Sequence, residues 1–203
     1  MYRFFLLIIF AFVAQASFAQ TDFYQKLANA AHLLTEQKVS YDSSYYALDY
    51  PNGDIPSDKG VCTDVIIRAY RKLGIDLQKE VHEDMQANFH FYPKKWGLKT
   101  TDKNIDHRRV LNLMVFFTRN GQKLNALLDS KSYLPGDIVA WDLGGDIPHI
   151  GIVSNKKSTD DTRYKIVHNI GAGQVLEDML FDYKIIGHYR YNPLPQKDSI
   201  NYK

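Results

Sequence analysis

The chain has a single cysteine, Cys62, among its 203 residues. An internal disulfide framework, a cysteine-cluster zinc site and an iron–sulfur site built from this chain alone are therefore excluded. Excess charge of either sign is also missing. Against 25 Lys and Arg stand 23 Asp and Glu, leaving a net charge of +2, too little for a general nucleic-acid-binding surface. Seven prolines, no long polar tract and no internal repeat rule out a disordered chain, a collagen-like repeat and a coiled-coil rod. What is present is a 45% hydrophobic composition, enough for one compact domain with short extensions.

The start of the chain reads as an export signal. Met1-Tyr2-Arg3 is a short basic start, residues 4–13 form an unbroken apolar run, and Ser17 and Ala19 place small residues before a cleavage point. The run is short for a membrane span, which needs about 20 residues, and no cysteine follows the cleavage point to carry a lipid. The reading is a signal peptide over 1–19, a hydrolase domain over 20–192 and a polar tail over 193–203. The expected location is the periplasm or the exterior, with no transmembrane segment in the mature chain and a monomeric state. An uncleaved N-terminal anchor is the alternative. In an oxidising compartment cysteines are usually paired, so a lone thiol is a buried core residue, a covalent dimer bridge or a chemical group.

Local periodicity divides the rest. Phe23, Leu27, Ala30, Ala31 and Leu34 recur at helical steps, predicting an amphipathic helix from Asp22 to about Lys38 with Thr21 or Asp22 as cap. Residues 41–60 contain Pro51, Gly53, Pro56 and Gly60 and read as a long ordered loop. From Thr63 to Leu73 a second helix is predicted on Val65, Ile66, Ala69, Tyr70 and Leu73, ended by Gly74. Residues 76–128 read as mostly helical with breaks at Pro93 and Gly97. Beyond Pro135-Gly136 the pattern changes to short β runs at 138–141, 149–154, 164–168, 174–176 and 185–189. Helices followed by a meandering antiparallel sheet predict an α+β fold.

This order puts Cys62 at a helix start. There the unpaired N–H groups and the positive end of the helix dipole are expected to lower a thiol pKa and to hold an oxyanion. Imidazole is the natural base near neutrality. His149 opens one predicted strand and His168 ends the next. If those strands are antiparallel neighbours, joined by the turn at 155–161, their free ends meet and His168 can orient His149.

The residues Gly60-Val61-Cys62-Thr63-Asp64, Ala69-Tyr70-Arg71-Lys72-Leu73-Gly74-Ile75, Pro135-Gly136-Asp137-Ile138-Val139, Pro148-His149-Ile150-Gly151-Ile152-Val153 and Ile166-Val167-His168 together resemble the NlpC-like branch of the papain-like cysteine peptidases. Within that group they are most similar to an uncharacterised exported bacterial family. The resemblance spans about residues 41–168. It implies a papain-like fold, Cys62 as nucleophile, His149 as general base, His168 as orienter and no cofactor. Tyr50-Pro51-Asn52-Gly53 resembles the upstream element whose tyrosine lines the oxyanion site, so Tyr50 is a further candidate. The family usually has Asp-Cys-Ser-Gly where this chain has Val61-Cys62-Thr63-Asp64, which places Thr63 and Asp64 in altered subsite walls.

Other residues are weighed against structural roles. His107-Arg108-Arg109 could grip a carboxylate or phosphate, or be a basic turn paired with Asp64 or Asp106. Trp141 and the aromatics of 89–92 could wall a sugar or peptide groove, or belong to the core. His82-Glu83-Asp84 lacks the second spaced pair of a zinc site, and no metal is expected. The function expected from the resemblance is cleavage of an amide bond in cell-envelope material, with peptidoglycan stem peptides as substrate. A cysteine acyltransferase and a catalytically silent envelope-binding module on the same fold are the alternatives.

Overall fold

The computed structural model describes residues 22–193; the signal-peptide reading and the tail after residue 193 fall outside the described residues. The first helix, α1, covers 22–34 and buries Phe23, Leu27, Ala30, Ala31 and Leu34, the apolar positions of its helical stripe. It stops short of Lys38, because residues 37–41 turn into a two-residue strand, β1 (Ser40–Tyr41), paired in parallel with β2 (Lys59–Gly60).

Between these strands the chain is irregular yet tied down. Gly53 N–H donates to Gln78 Oε1 (2.8 Å), Gln78 Nε2 donates to the Asp49 carbonyl (2.9 Å), and Arg68 pairs with Asp54 at 3.1 Å. Helix α2 (Cys62–Arg71) follows at once, and Gly74 beyond it takes the left-handed conformation, φ 80°, that ends helices at low cost. The middle segment is less helical than its composition implies. Helices α3 (Leu77–Ala87) and α4 (Val110–Asn120) are joined by short 3₁₀ turns and by irregular chain over 92–105. That stretch carries Pro93, Gly97 and little apolar periodicity, so a helix there would have no face to bury.

The sheet has the order β3-β8-β4-β5-β6-β7. Its strands are β3 (Gln122–Lys123), β4 (Ile138–Asp142), β5 (Pro148–Lys157), β6 (Tyr164–His168), β7 (Val175–Glu177) and β8 (Lys184–Arg190), and every pairing is antiparallel. Strands β4 to β7 are a meander, and β8 returns beside β4. The alternation of side chains gives the sheet two apolar faces. Ile138, Ala140, Ile150, Ile152 and Val167 pack with residues of α1 to α4, and Val139, Trp141, Val153 and Ile166 pack with Tyr133, Met179 and Leu180. The result is a mixed α and β fold with helices on one face of an antiparallel sheet. Among the described residues no helix is long and apolar enough to cross a membrane.

Candidate active site

Cys62 is the first residue of α2 and is buried. Its helix start is fixed from both sides. Asp64 accepts a hydrogen bond from the Val61 N–H (2.7 Å) and pairs with the Arg108 guanidinium at 3.0 and 3.1 Å. Asn169 Nδ2 donates to the Gly60 carbonyl (3.1 Å), which ties the end of β6 to the residues before the thiol. The backbone N–H groups of Ile150, at the start of β5, and of Thr63 and Cys62 itself are placed where they would favour a thiolate.

The placement at a helix start leads sequence reasoning to expect a lowered thiol pKa, and the structure corrects that expectation. Burial pushes the Cys62 thiol up to about 12, and the Asp64 charge adds to the rise; the amides that favour the thiolate are outweighed. A charge withdrawn from water loses more hydration than three amides restore. The resting residue is a neutral thiol.

The two histidines meet as the strand topology predicts. His149 Nε2 lies 2.9 Å from His168 Nδ1, with the rings edge to face at 82°. Gly151 makes this possible: a Cβ there would sit 3.1 Å from His168 Cβ and 2.7 Å from Ile166 Cγ2, closer than side chains approach without displacement. His168 Nε2 in turn lies 3.0 Å from Glu177 Oε2. The relay runs from His149 through His168 to the carboxylate of a half-exposed edge-strand residue. Burial and the neighbouring His168 pull His149 down to about 3, and burial also lowers His168, with Glu177 opposing. Both imidazoles are therefore neutral near pH 7. With Nε2 committed to His168, the Nδ1 of His149 is the ring nitrogen left to accept a proton. Among the described residues no hydrogen bond joins the sulfur to that ring; Cys62 packs in one apolar cluster with Ile150, the residue after His149 on β5.

The remaining candidates are dispersed. Tyr50 packs edge to face on His82 (5.3 Å), and its hydroxyl responds to Glu83 and Asp76, not to Cys62. Tyr41 is the tyrosine on the Cys62 side: partial burial raises its pKa first, and negative charge on Cys62, if it ionises, and on Asp64 raises it further. Its position follows from β1 lying beside β2, where Tyr41 is opposite Gly60. Thr63 is buried, with Oγ1 donating to the Arg108 carbonyl (3.3 Å), and Asp64 is spent on Arg108. Neither can present its side chain to a substrate.

Arg108 is the buried partner of Asp64, His107 is buried and held at about 3 by desolvation and then by Arg108, and Arg109 stacks over Trp96 at 4.2 Å. Their three side chains have separate environments and form no shared cationic site. Trp141 is fully buried, with its Nε1–H donating to the Leu180 carbonyl (3.0 Å) and its ring 5.9 Å from that of His149. It backs the histidine and walls no groove. His82 pairs with Asp106 at 3.0 Å, whereas Asp84 serves Tyr92 and Arg119, so the local His-Glu-Asp run is also divided.

Sequence reasoning missed Glu177 and Tyr41. The first could have been found by extending β7 one residue, since Glu177 then shares a sheet face with His168. The second rests on a two-residue parallel pairing with no sequence pattern of its own.

A solved structure with a related outline is that of NlpC2 from Trichomonas vaginalis, with a TM-score of 0.43 and 18% identity, covering 82% of this chain and 46% of that one. This chain thus spans less than half of that protein's length. The uncharacterized protein YijF of Escherichia coli (strain K12) is 47% identical over 165 residues, which is 81% of this chain and 80% of that protein. Residues 28–191 match the family described as Domain of unknown function (DUF1287). With the match covering the two histidines, the thiol and nearly all of both apolar faces, the chain belongs to that family.

Proposed function

We propose that this protein is an exported cysteine hydrolase with a papain-like arrangement that cleaves an amide bond in cell-envelope material, with peptidoglycan stem peptides as the substrate class. The observation that carries the reading is the His149–His168–Glu177 relay, begun at the strand start where Ile150, next to His149, packs in one apolar cluster with Cys62. Strand-borne imidazoles linked in series beside a lone thiol are the parts that nucleophilic acyl transfer needs.

In this reading His149 Nδ1 takes the Cys62 proton as sulfur attacks the carbonyl carbon. Because both groups rest neutral, the transfer accompanies attack and does not precede it. The developing oxyanion is held by N–H groups at the start of α2, with the Tyr41 hydroxyl as a further donor. His149 then protonates the leaving amine, and water attacks the thioester with the same ring as base.

Purified muropeptides incubated with the protein should be split into two products whose masses sum to the parent plus one water, and Cys62→Ala should abolish the change while keeping the wild-type melting transition. Full turnover by that variant removes the nucleophile. One observation favours a second reading, the silent binding module: the thiol is buried and its pKa is high. That module should bind envelope polymer equally well with Cys62→Ala and turn over nothing before the change.

A further inference from the structure

The relay contains a choice that geometry alone leaves open. Each neutral imidazole carries one N–H, and two arrangements satisfy the 2.9 Å contact between His149 Nε2 and His168 Nδ1. In one, both rings are protonated on Nε2, so His149 donates to His168 and its own Nδ1 is a free acceptor. In the other, both are protonated on Nδ1, so His168 donates to His149 and the N–H of His149 Nδ1 replaces the lone pair that a base requires. Only the first arrangement can receive a proton from a thiol.

The far end decides. His168 Nε2 faces Glu177 Oε2 at 3.0 Å, and an ionised carboxylate accepts hydrogen bonds but cannot donate them. A protonated Nε2 on His168 is therefore matched, whereas a bare Nε2 lone pair would oppose the carboxylate charge. We propose that Glu177 is a positioning residue that selects the tautomers of both His168 and His149, so that His149 presents an unprotonated Nδ1 to the thiol. This rests on the reading of Cys62 and His149 given above. Glu177 lies on the terminal strand of the sheet with its side chain half exposed, so it can be replaced without opening the core.

The test compares Glu177→Gln with Glu177→Ala in the mature full-length protein labelled with ¹⁵N in its histidines. In the wild type, imidazole ¹⁵N spectra near neutral pH should show Nε2–H on both His149 and His168. Glutamine offers His168 Nε2 either an acceptor oxygen or a donor amide, and alanine admits water, which also does either, so both variants lift the selection without reversing it. Each should therefore show mixed Nδ1–H and Nε2–H tautomers on both rings, with KM unchanged and kcat lowered in step with the fraction of Nδ1–H.

A merely structural glutamate predicts wild-type tautomers in both variants, with any loss of activity tracking lost stability. Wild-type tautomers in both variants, or a wild type that carries Nδ1–H on both rings, overturns the proposal. The two readings fail separately. A wild type that cleaves no muropeptide overturns the hydrolase assignment, whereas the tautomer spectra need no substrate and test Glu177 directly.

Discussion

Two buried histidine networks occupy this sheet, and they differ in how they end. On the β4–β8 side, His188 uses both ring nitrogens, one on the Asp137 carboxylate (2.7 Å) and one on the Asn125 carbonyl (3.3 Å). Asp137 is fully buried and also holds Arg190 and the Leu134 N–H. Tyr133 stacks on the ring at 4.3 Å. On the β5–β7 side, the series His149, His168 and Glu177 has a ring nitrogen left over at one end and a half-exposed carboxylate at the other. The first network is closed and holds strands and turns together. The second is open at the thiol end, which is what distinguishes a group that can move a proton from one that only receives hydrogen bonds.

The sharpest way to break the comparison is to exchange the consequences. His149→Ala should lower kcat/KM on muropeptides by about 10²–10⁴-fold while the urea midpoint stays near that of the wild type. Asp137→Ala should do the reverse kind of damage, costing about 3–5 kcal/mol of stability by leaving the Arg190 guanidinium, the His188 ring and the Leu134 N–H without their shared acceptor, read by urea unfolding. Comparable stability loss in both variants would erase the distinction. Next in size, Gly151→Ala should cost about 1–3 kcal/mol and displace His168, so that activity falls beyond what the stability loss explains. A crystal structure with the 2.9 Å contact intact would count against this.

A pH series sharpens the comparison further. Because the folded state holds His149 and His107 at about 3, well below the ordinary value of about 6.5, the unfolded chain binds more protons between those limits. Stability should therefore be fully present above about pH 6.5 and decline as pH falls towards 3. The Cys62 shift has the opposite sense, so stability should fall again as pH rises from about 8.5 towards 12. Urea unfolding across pH checks both, and Cys62→Ala should flatten only the alkaline limb. The smallest effect belongs to Tyr50→Phe. It should leave turnover unchanged, whereas Tyr41→Phe should reduce it; equal behaviour would return the oxyanion role to the upstream motif.

Much of the scaffold was legible because alternation and helical spacing are local properties. The five main strands lie within a few residues of their expected limits, and Cys62 opens its helix as read. The meeting of His149 and His168 was legible too, since two antiparallel neighbours with one turn leave little freedom of register. Other features were not local. The pairing of Asp64 with Arg108 crosses 44 residues, so sequence cannot tell a solvent-facing guanidinium from a buried one. Tyr50 sits in a better motif than Tyr41, yet the loop carries it to His82. The thiol pKa was misjudged because a helix start shows in the sequence and the depth of its burial does not.

The bond from Asn169 to Gly60 spans 109 positions of the chain. Closing so long a loop costs entropy that only the assembled sheet can offset. Contacts so distant in sequence are expected to form late in folding, so the thiol and its histidine strand should meet only after β5 and β6 have paired. A chain still emerging or partly unfolded carries the cysteine and both histidines but no working assembly of them. For a protein proposed to cut amide bonds, reactivity is thereby tied to completion of the fold.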